Sequence, residues 1–169
     1  LGGTDNLQKA KIQLASVIDT YSRYRTVREK NSRDPNAYLE RGILFLQNKE
    51  EKRAIDDFDQ GLSLQPDHPE LVVAKAKALY YARETKQATG LLKKLIKKQP
   101  KNASAHFYLG RMYNAASATS QSAKHFEKSL KYGKNDKSFS QVHEAHSSLA
   151  NLYKEMKQNS KACEHMKLY

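Results

Sequence analysis

A pattern that returns every 34 residues constrains this chain more than any other feature. From Tyr38 it runs through the pair Arg41-Gly42, then Phe45, Ala54, Phe58, Gly61 and Pro66. One period later the same slots hold Val72, Lys75-Ala76, Leu79, Ala88, Leu92, Leu95 and Pro100. A third pass reads His106, Leu109-Gly110, Tyr113, Ser122, Phe126 and Ser129, with no closing proline. After six extra residues a fourth reads His146, Leu149-Ala150, Tyr153, Ala162, Met166 and Tyr169. Such a period marks supersecondary units that cannot bury their apolar faces alone and therefore stack.

Within each unit the apolar residues recur at three- and four-residue steps, which predicts two helices per unit. Tyr38, Gly42 and Phe45 share one face of a first helix, and Ala54, Phe58 and Leu62 share one face of a second. Small residues (Gly42, Ala54, Ala76, Ala88, Gly110, Ala150, Ala162) allow close helix approach. Phe58, Leu92, Phe126 and Met166 are expected to fill the space between neighbours. Asp34-Pro35 reads as an N-cap followed by a first-turn proline, and Asp67, His68 and Pro69 repeat the idea. Pro66 and Pro100 fall where second helices must stop. The expected fold is all-α, a solenoid of antiparallel helix pairs.

The order of aromatic, leucine-glycine, aromatic, small, large apolar, small and proline resembles the tetratricopeptide repeat over residues 35–169. Arg41 and Lys75 depart from it at the leucine slot, Val72 at the first aromatic, Leu95 at a small position, and the third proline is missing. The resemblance divides the chain into repeats at about 35–68, 69–102, 103–142 and 143–169. The insertion Tyr132, Gly133, Lys134, Asn135, Asp136, Lys137 reads as an exposed loop. Residues 1–34 read as an N-terminal helical segment with the stripe Leu7, Leu14, Val17, Ile18, Tyr21 and Tyr24. That stripe suits a helix covering the open end of the stack; its spacing also fits a short self-associating seam. The chain does not begin with Met and stops within a helical pattern, so it is read as a piece of a longer protein.

By resemblance, first helices line a concave groove that receives a partner peptide. Carried over by register, the groove would hold Leu39, Ile43 and Leu46, then Val73, Lys77, Tyr80 and Tyr81, then Phe107, Arg111 and Asn114, and finally Asn151 and Lys154. Leu39, Ile43, Val73 and Phe107 would offer apolar contact, or else pack on a neighbouring helix. Tyr80, Tyr81 and Arg111 are residue types that anchor interfaces, and Lys77, Arg111 and Lys154 add positive charge. The implied function is a protein-interaction adaptor, and the implied partner is a peptide or helix with apolar anchors and carboxylates. Some members clamp the C-terminal carboxylate of heat-shock chaperones with lysine and asparagine. Leu39 and Ile43 occupy two of those slots and Lys77 a third, which argues against the clamp in the first three repeats.

The charge is uneven: +12 overall, with nine basic against two acidic residues in 69–102. Lys93, Lys94, Lys97, Lys98 and Lys101 read as one stripe on a second helix, with no aromatic or arginine among them. A solvated face explains such a stripe; nucleic acid or anionic membrane is the alternative partner. Self-association through the terminal helices is a third reading. No apolar run reaches the roughly 18 residues of a membrane span. A single cysteine, Cys163, excludes an internal disulfide and suits a reducing compartment such as the cytoplasm.

Signals for chemistry are weak, and the reading is of a chain that is not an enzyme and needs no cofactor. His143, Glu144 and His146 miss the spacing of a zinc-protease helix by one residue. Cys163 and His165, two apart, point to different sides of a helix. Asp56, Asp57 and Asp59 beside Lys52 and Arg53 suit a solvated face with local ion pairs. Asn102-Ala103-Ser104 is a formal glycosylation sequon, meaningful only in a secreted chain.

Overall fold

The computed structural model describes Gln8, Lys11, residues 33–136 and residues 139–168. Among them are eight helices and no strand: α1 (Pro35–Gln47), α2 (Glu51–Leu64), α3 (Pro69–Tyr81), α4 (Thr85–Lys98), α5 (Ala103–Ala115), α6 (Thr119–Gly133), α7 (Val142–Glu155) and α8 (Asn159–Met166). The chain divides into two compact units, Leu1–Leu71 and Val72–Tyr169. The helical segment expected over residues 1–34, with its apolar stripe, lies outside the described residues.

Each first helix ends the same way. Lys49, Arg83, Ser117 and Lys157 take positive φ, between 56° and 68°. In each case the next amide bonds back to the fifth residue before it: Glu50 to Phe45, Glu84 to Leu79, Ala118 to Tyr113 and Gln158 to Tyr153, all at 2.8–2.9 Å. These are left-handed helix caps that satisfy orphan carbonyls and turn the chain straight into the second helix. The capping residue carries a side chain every time, although glycine would adopt this conformation without steric cost.

Helix starts use side-chain caps at Asp34, as expected, and at Asn102, where the sequence showed only a sequon. Asp34 accepts from the Asn36 amide at 2.9 Å with Pro35 as first helical residue. Asn102 accepts from the Ala105 amide at 2.8 Å, so the sequon asparagine serves as the cap of α5. At α3 it is His68, not Asp67, that stands before Pro69. Its Nδ1 lies 3.1 Å from the Glu70 carboxylate and its Nε2 3.2 Å from the Asn36 side-chain oxygen on α1.

In the first unit Phe58 is fully buried against Gly42. A Cβ on Gly42 would collide with the Phe58 ring, which is why the slot takes glycine. The arginine at the leucine slot now has a reason. Arg41 reaches across from α1 to α2 and grips Asp57 through two 2.6 Å hydrogen bonds. Asp57 is 6% exposed, so it is a buried ion-pair partner rather than part of a solvated carboxylate face. This corrects the reading of local pairing with Lys52 and Arg53, because a buried carboxylate needs a charged partner wherever the fold supplies one.

The second unit repeats the scheme. Phe126 is fully buried and packs on Gly110, where an added Cβ would lie 2.9 Å from the ring. Ser122, at a small-residue slot, donates its hydroxyl to the Gly110 carbonyl at 2.8 Å, satisfying a buried polar atom at the closest approach of the two helices. Leu92 is fully buried, but Met166, in the corresponding slot of the last pair, is 45% exposed. The expectation that Met166 fills an interior space is therefore corrected, since no described helix packs over it.

The insertion also differs from an open loop. Tyr132 and Gly133 belong to α6, and only Lys134, Asn135 and Asp136 are described as exposed. The chain then returns, and Phe139 is buried against Gly133 and the ring of Phe107. A longer connection survives here because it carries its own apolar anchor.

Candidate partner-binding face

Within the second unit, the first helices α3, α5 and α7 contribute a connected set of side chains. Arg111 of α5 is its centre. The guanidinium lies 5.5 Å from the centroid of the Tyr80 ring on α3 and 3.4 Å from the Glu144 carboxylate on α7. Tyr80 and Tyr81 sit with ring centroids 5.8 Å apart, and the Lys77 ammonium stands 6.0 Å from the Tyr81 ring. Tyr81 is 40% exposed, while Tyr80, Lys77 and Val73 are half-buried. One exposed aromatic beside a held guanidinium combines the two side-chain types most often found at interface anchors.

The electrostatics follow from that crowding. Burial pulls the Arg111 guanidinium down, but Glu144, Tyr81 and Tyr80 more than reverse it, so its pKa is raised. Burial, with Tyr81 and Glu144 adding to it, pushes the Tyr108 hydroxyl up to about 12. Arg111 therefore stays charged and is pre-oriented, and Tyr108 stays neutral.

Beside this cluster, Asn114 of α5 and Ser148, Asn151, Leu152, Lys154 and Glu155 of α7 line an open pocket of about 560 Å³. Asn114, Asn151 and Lys154 were expected on this face, and the structure brings them into one pocket. Carboxamides presented this way can donate to and accept from an extended backbone, and Lys154 and Glu155 supply one charge of each sign.

Not every expected residue lies on this face. Phe107 is fully buried, packed edge-on against Tyr108, Phe126 and Phe139. Its assignment to the groove surface is corrected: Phe139, folded back by the insertion, covers it and makes it core. Leu39 is half-buried and Ile43 is 41% exposed, and both belong to α1 in the first unit. Two participants escaped the sequence reading. Glu144 had been considered only for its neighbouring histidines, yet it faces Arg111. Tyr108 follows Phe107 in the chain and has no place in the repeat pattern, yet it is buried beside Arg111, Tyr81 and Glu144.

The histidines are placed in pairs that local spacing does not reveal. His106 and His125 approach Nδ1 to Nδ1 at 3.0 Å, and His146 and His165 at 2.8 Å. His106 Nε2–H donates to the Pro100 carbonyl at 3.0 Å, which leaves its Nδ1 to accept from His125. Tyr113 stacks on His125 and Tyr153 on His165. Among the described residues no group of three His, Cys, Asp or Glu side chains is arranged to hold a metal ion. Cys163 is exposed. No described helix is long and apolar enough to cross a membrane.

These features meet known proteins at the level of fold. The family profile of the tetratricopeptide repeat matches residues 22–69 and 73–138. A search of curated protein sequences returns no match. Among solved structures, a MamA chain comprising residues 41 to the end, from Desulfovibrio magneticus RS-1, is 20% identical, with a TM-score of 0.67 over 96% of this chain and 89% of that one. PilF of Pseudomonas aeruginosa is 19% identical, with a TM-score of 0.77 over 98% of this chain and 76% of that one. The first TPR of Spaghetti (RPAP3), solved bound to an HSP90 peptide, is 18% identical, with a TM-score of 0.63 over 75% of this chain and 96% of that one. The chain belongs to the tetratricopeptide-repeat family, whose stacked helix pairs are in general protein-interaction scaffolds rather than catalysts.

Proposed function

We propose that the α3–α5–α7 face of residues 72–169 captures a peptide segment of a partner protein. The observation that supports this most is Arg111, held between Tyr80 and Glu144 beside the exposed Tyr81 and next to the Asn114–Asn151 pocket. An apolar or aromatic residue of the peptide packs on Tyr81. Its backbone bonds to Asn114 and Asn151. A carboxylate takes the position of Glu144 at Arg111, or pairs with Lys77 or Lys154.

That a structural neighbour was solved with an HSP90 peptide is in keeping with a peptide ligand. The chaperone-tail clamp itself is a poor fit, because Lys77 stands where asparagine is needed and Leu39 and Ile43 replace the first lysine and asparagine.

The test is a selection from a displayed peptide library, run with the native chain and with Arg111→Glu and Asn151→Ala variants. Peptides carrying an aromatic or aliphatic residue and a carboxylate are expected. Their capture should weaken at least about tenfold in Arg111→Glu, which replaces attraction by repulsion at a partly buried charge. A folded Arg111→Glu variant that selects the same peptides with the same affinity would sink the proposal.

A further inference from the structure

The second unit carries another surface of a single chemical kind, on its second helices. Between residues 85 and 134 the chain has ten lysines and one arginine against one acidic residue, Glu127. Nine of the ten lysines are exposed and Lys128 is half-buried. The one arginine, Arg111, is held on the other face by Glu144. Glu127, the only carboxylate on α4 or α6, is turned toward α7, where it accepts the Tyr153 hydroxyl.

The lysines of the two helices form one field. Lys93, Lys94, Lys97 and Lys98 lie on α4, while Lys101 stands in the turn after it. Lys124, Lys128 and Lys131 lie on α6. Lys93 places its ammonium 5.6 Å from the Tyr113 ring, and Tyr113 stacks on His125 of α6 at 5.3 Å. The same proximity is felt by the imidazole. Burial and His106 hold His125 down at about 4, and Lys128, Lys124 and Lys93 add to the effect.

We propose that this lysine face docks the protein on an anionic membrane surface, with α4 and α6 both lying in the headgroup plane. The chemistry selects this occupant over nucleic acid. Every exposed cation on the two helices is a lysine, a compact point charge without the planar guanidinium that arginine stacks on bases. Of the aromatic rings at this face, Tyr113 already stacks on His125 and Tyr132 lies tilted against His106, so both are engaged within the protein. None of the exposed large apolar residues (Ile43, Leu64, Tyr81, Val142, Met166, Leu168) lies on α4 or α6. Adsorption is therefore by charge alone, without insertion. The row from Lys86 to Lys98 extends about 18 Å along α4, and an extended anionic surface can engage this row and that of α6 at once.

The experiment is co-sedimentation of the full chain with phosphatidylcholine vesicles, with and without about 30% phosphatidylserine, at roughly 0.05 M salt. Binding is expected to the anionic vesicles only, and it should disappear by roughly 0.5 M salt. The variant K93Q/K94Q/K97Q/K128Q, confirmed folded by its melting curve, should lower partitioning at least about a hundredfold. Lys52→Gln, at an exposed lysine of the first unit, should leave vesicle binding intact. The proposal is overturned if anionic vesicles do not retain the chain at low salt, or if the quadruple variant binds them like the wild type. It is also overturned if a duplex of about 25 base pairs displaces the chain from vesicles at equal phosphate concentration, which would make the face a nucleic-acid surface.

Discussion

At the residue scale, the departures from the repeat pattern are each answered by a particular partner. Arg41 stands in a leucine slot because Asp57 lies buried opposite it on α2, within two 2.6 Å hydrogen bonds. Replacing Arg41 with Met strands that carboxylate and should cost about 3 kcal/mol in urea unfolding, whereas R41M/D57L should regain most of it. Equal loss in the single and double variants would show the pair to be unimportant. The histidine pairs make a different expectation. Burial lowers the pKa of His106, His125, His146 and His165 in the folded chain, with paired imidazoles and nearby lysines adding to it at His125. The unfolded chain therefore binds these protons more readily than the folded one. Their contribution is complete above pH of about 6.5 and is lost as pH falls toward the folded values, about 4 for His125. Melting temperature should decline between pH 7 and 5, and H125F/H165F should flatten that slope. The four slots containing His106, Tyr113, His146 and Tyr153 were legible as packing positions. Their partners, His125 and His165, were not, because they lie on second helices and a neighbour across a helix pair leaves no mark in local spacing.

At the element scale, helix pairs were readable because both periods, one within helices and one between units, repeat in the chain. Gly42 and Gly110 were readable as close-approach positions, and Phe58 and Phe126 occupy the space they leave. Gly90 on α4 breaks the pattern: nothing lies within 4 Å of a Cβ placed there. Gly90→Ala should stabilise the chain by about 1 kcal/mol through helix propensity alone. Gly110→Ala should destabilise it by about 1–3 kcal/mol, since the Phe126 ring must shift. Chemical denaturation of both variants checks the contrast, and the same sign for both would refute it. The insertion was located correctly along the chain, but its content was misjudged. Turn-forming residues at Gly133, Asn135 and Asp136 suggested an open loop, while Phe139, just beyond them, anchors the connection onto Phe107 and removes that ring from the surface.

At the scale of the whole molecule, charge is the dominant unbalanced quantity. A net +12, concentrated between residues 85 and 134, repels itself within one compact unit. Raising sodium chloride from about 0.01 to 0.15 M should therefore raise the melting temperature by about 3 °C, and K93Q/K94Q/K97Q/K128Q should melt higher than wild type at low salt. A fall in melting temperature with salt would mean that attractive pairs outweigh the repulsion. The sequence by itself determined the all-helical fold, the repeat register, the close-approach glycines and the family, because each is written in spacings that recur along the chain. Only the tertiary structure decided which side chains of the first helices are surface and which are core. It joined Arg111 to Tyr80 and Glu144, drew Asn114, Asn151 and Lys154 into one pocket, and buried Phe107 under Phe139. The physical reason is that periodicity assigns a residue to a face of its own helix. What covers that face depends on segments far away in the chain, and their register on one another is set by packing.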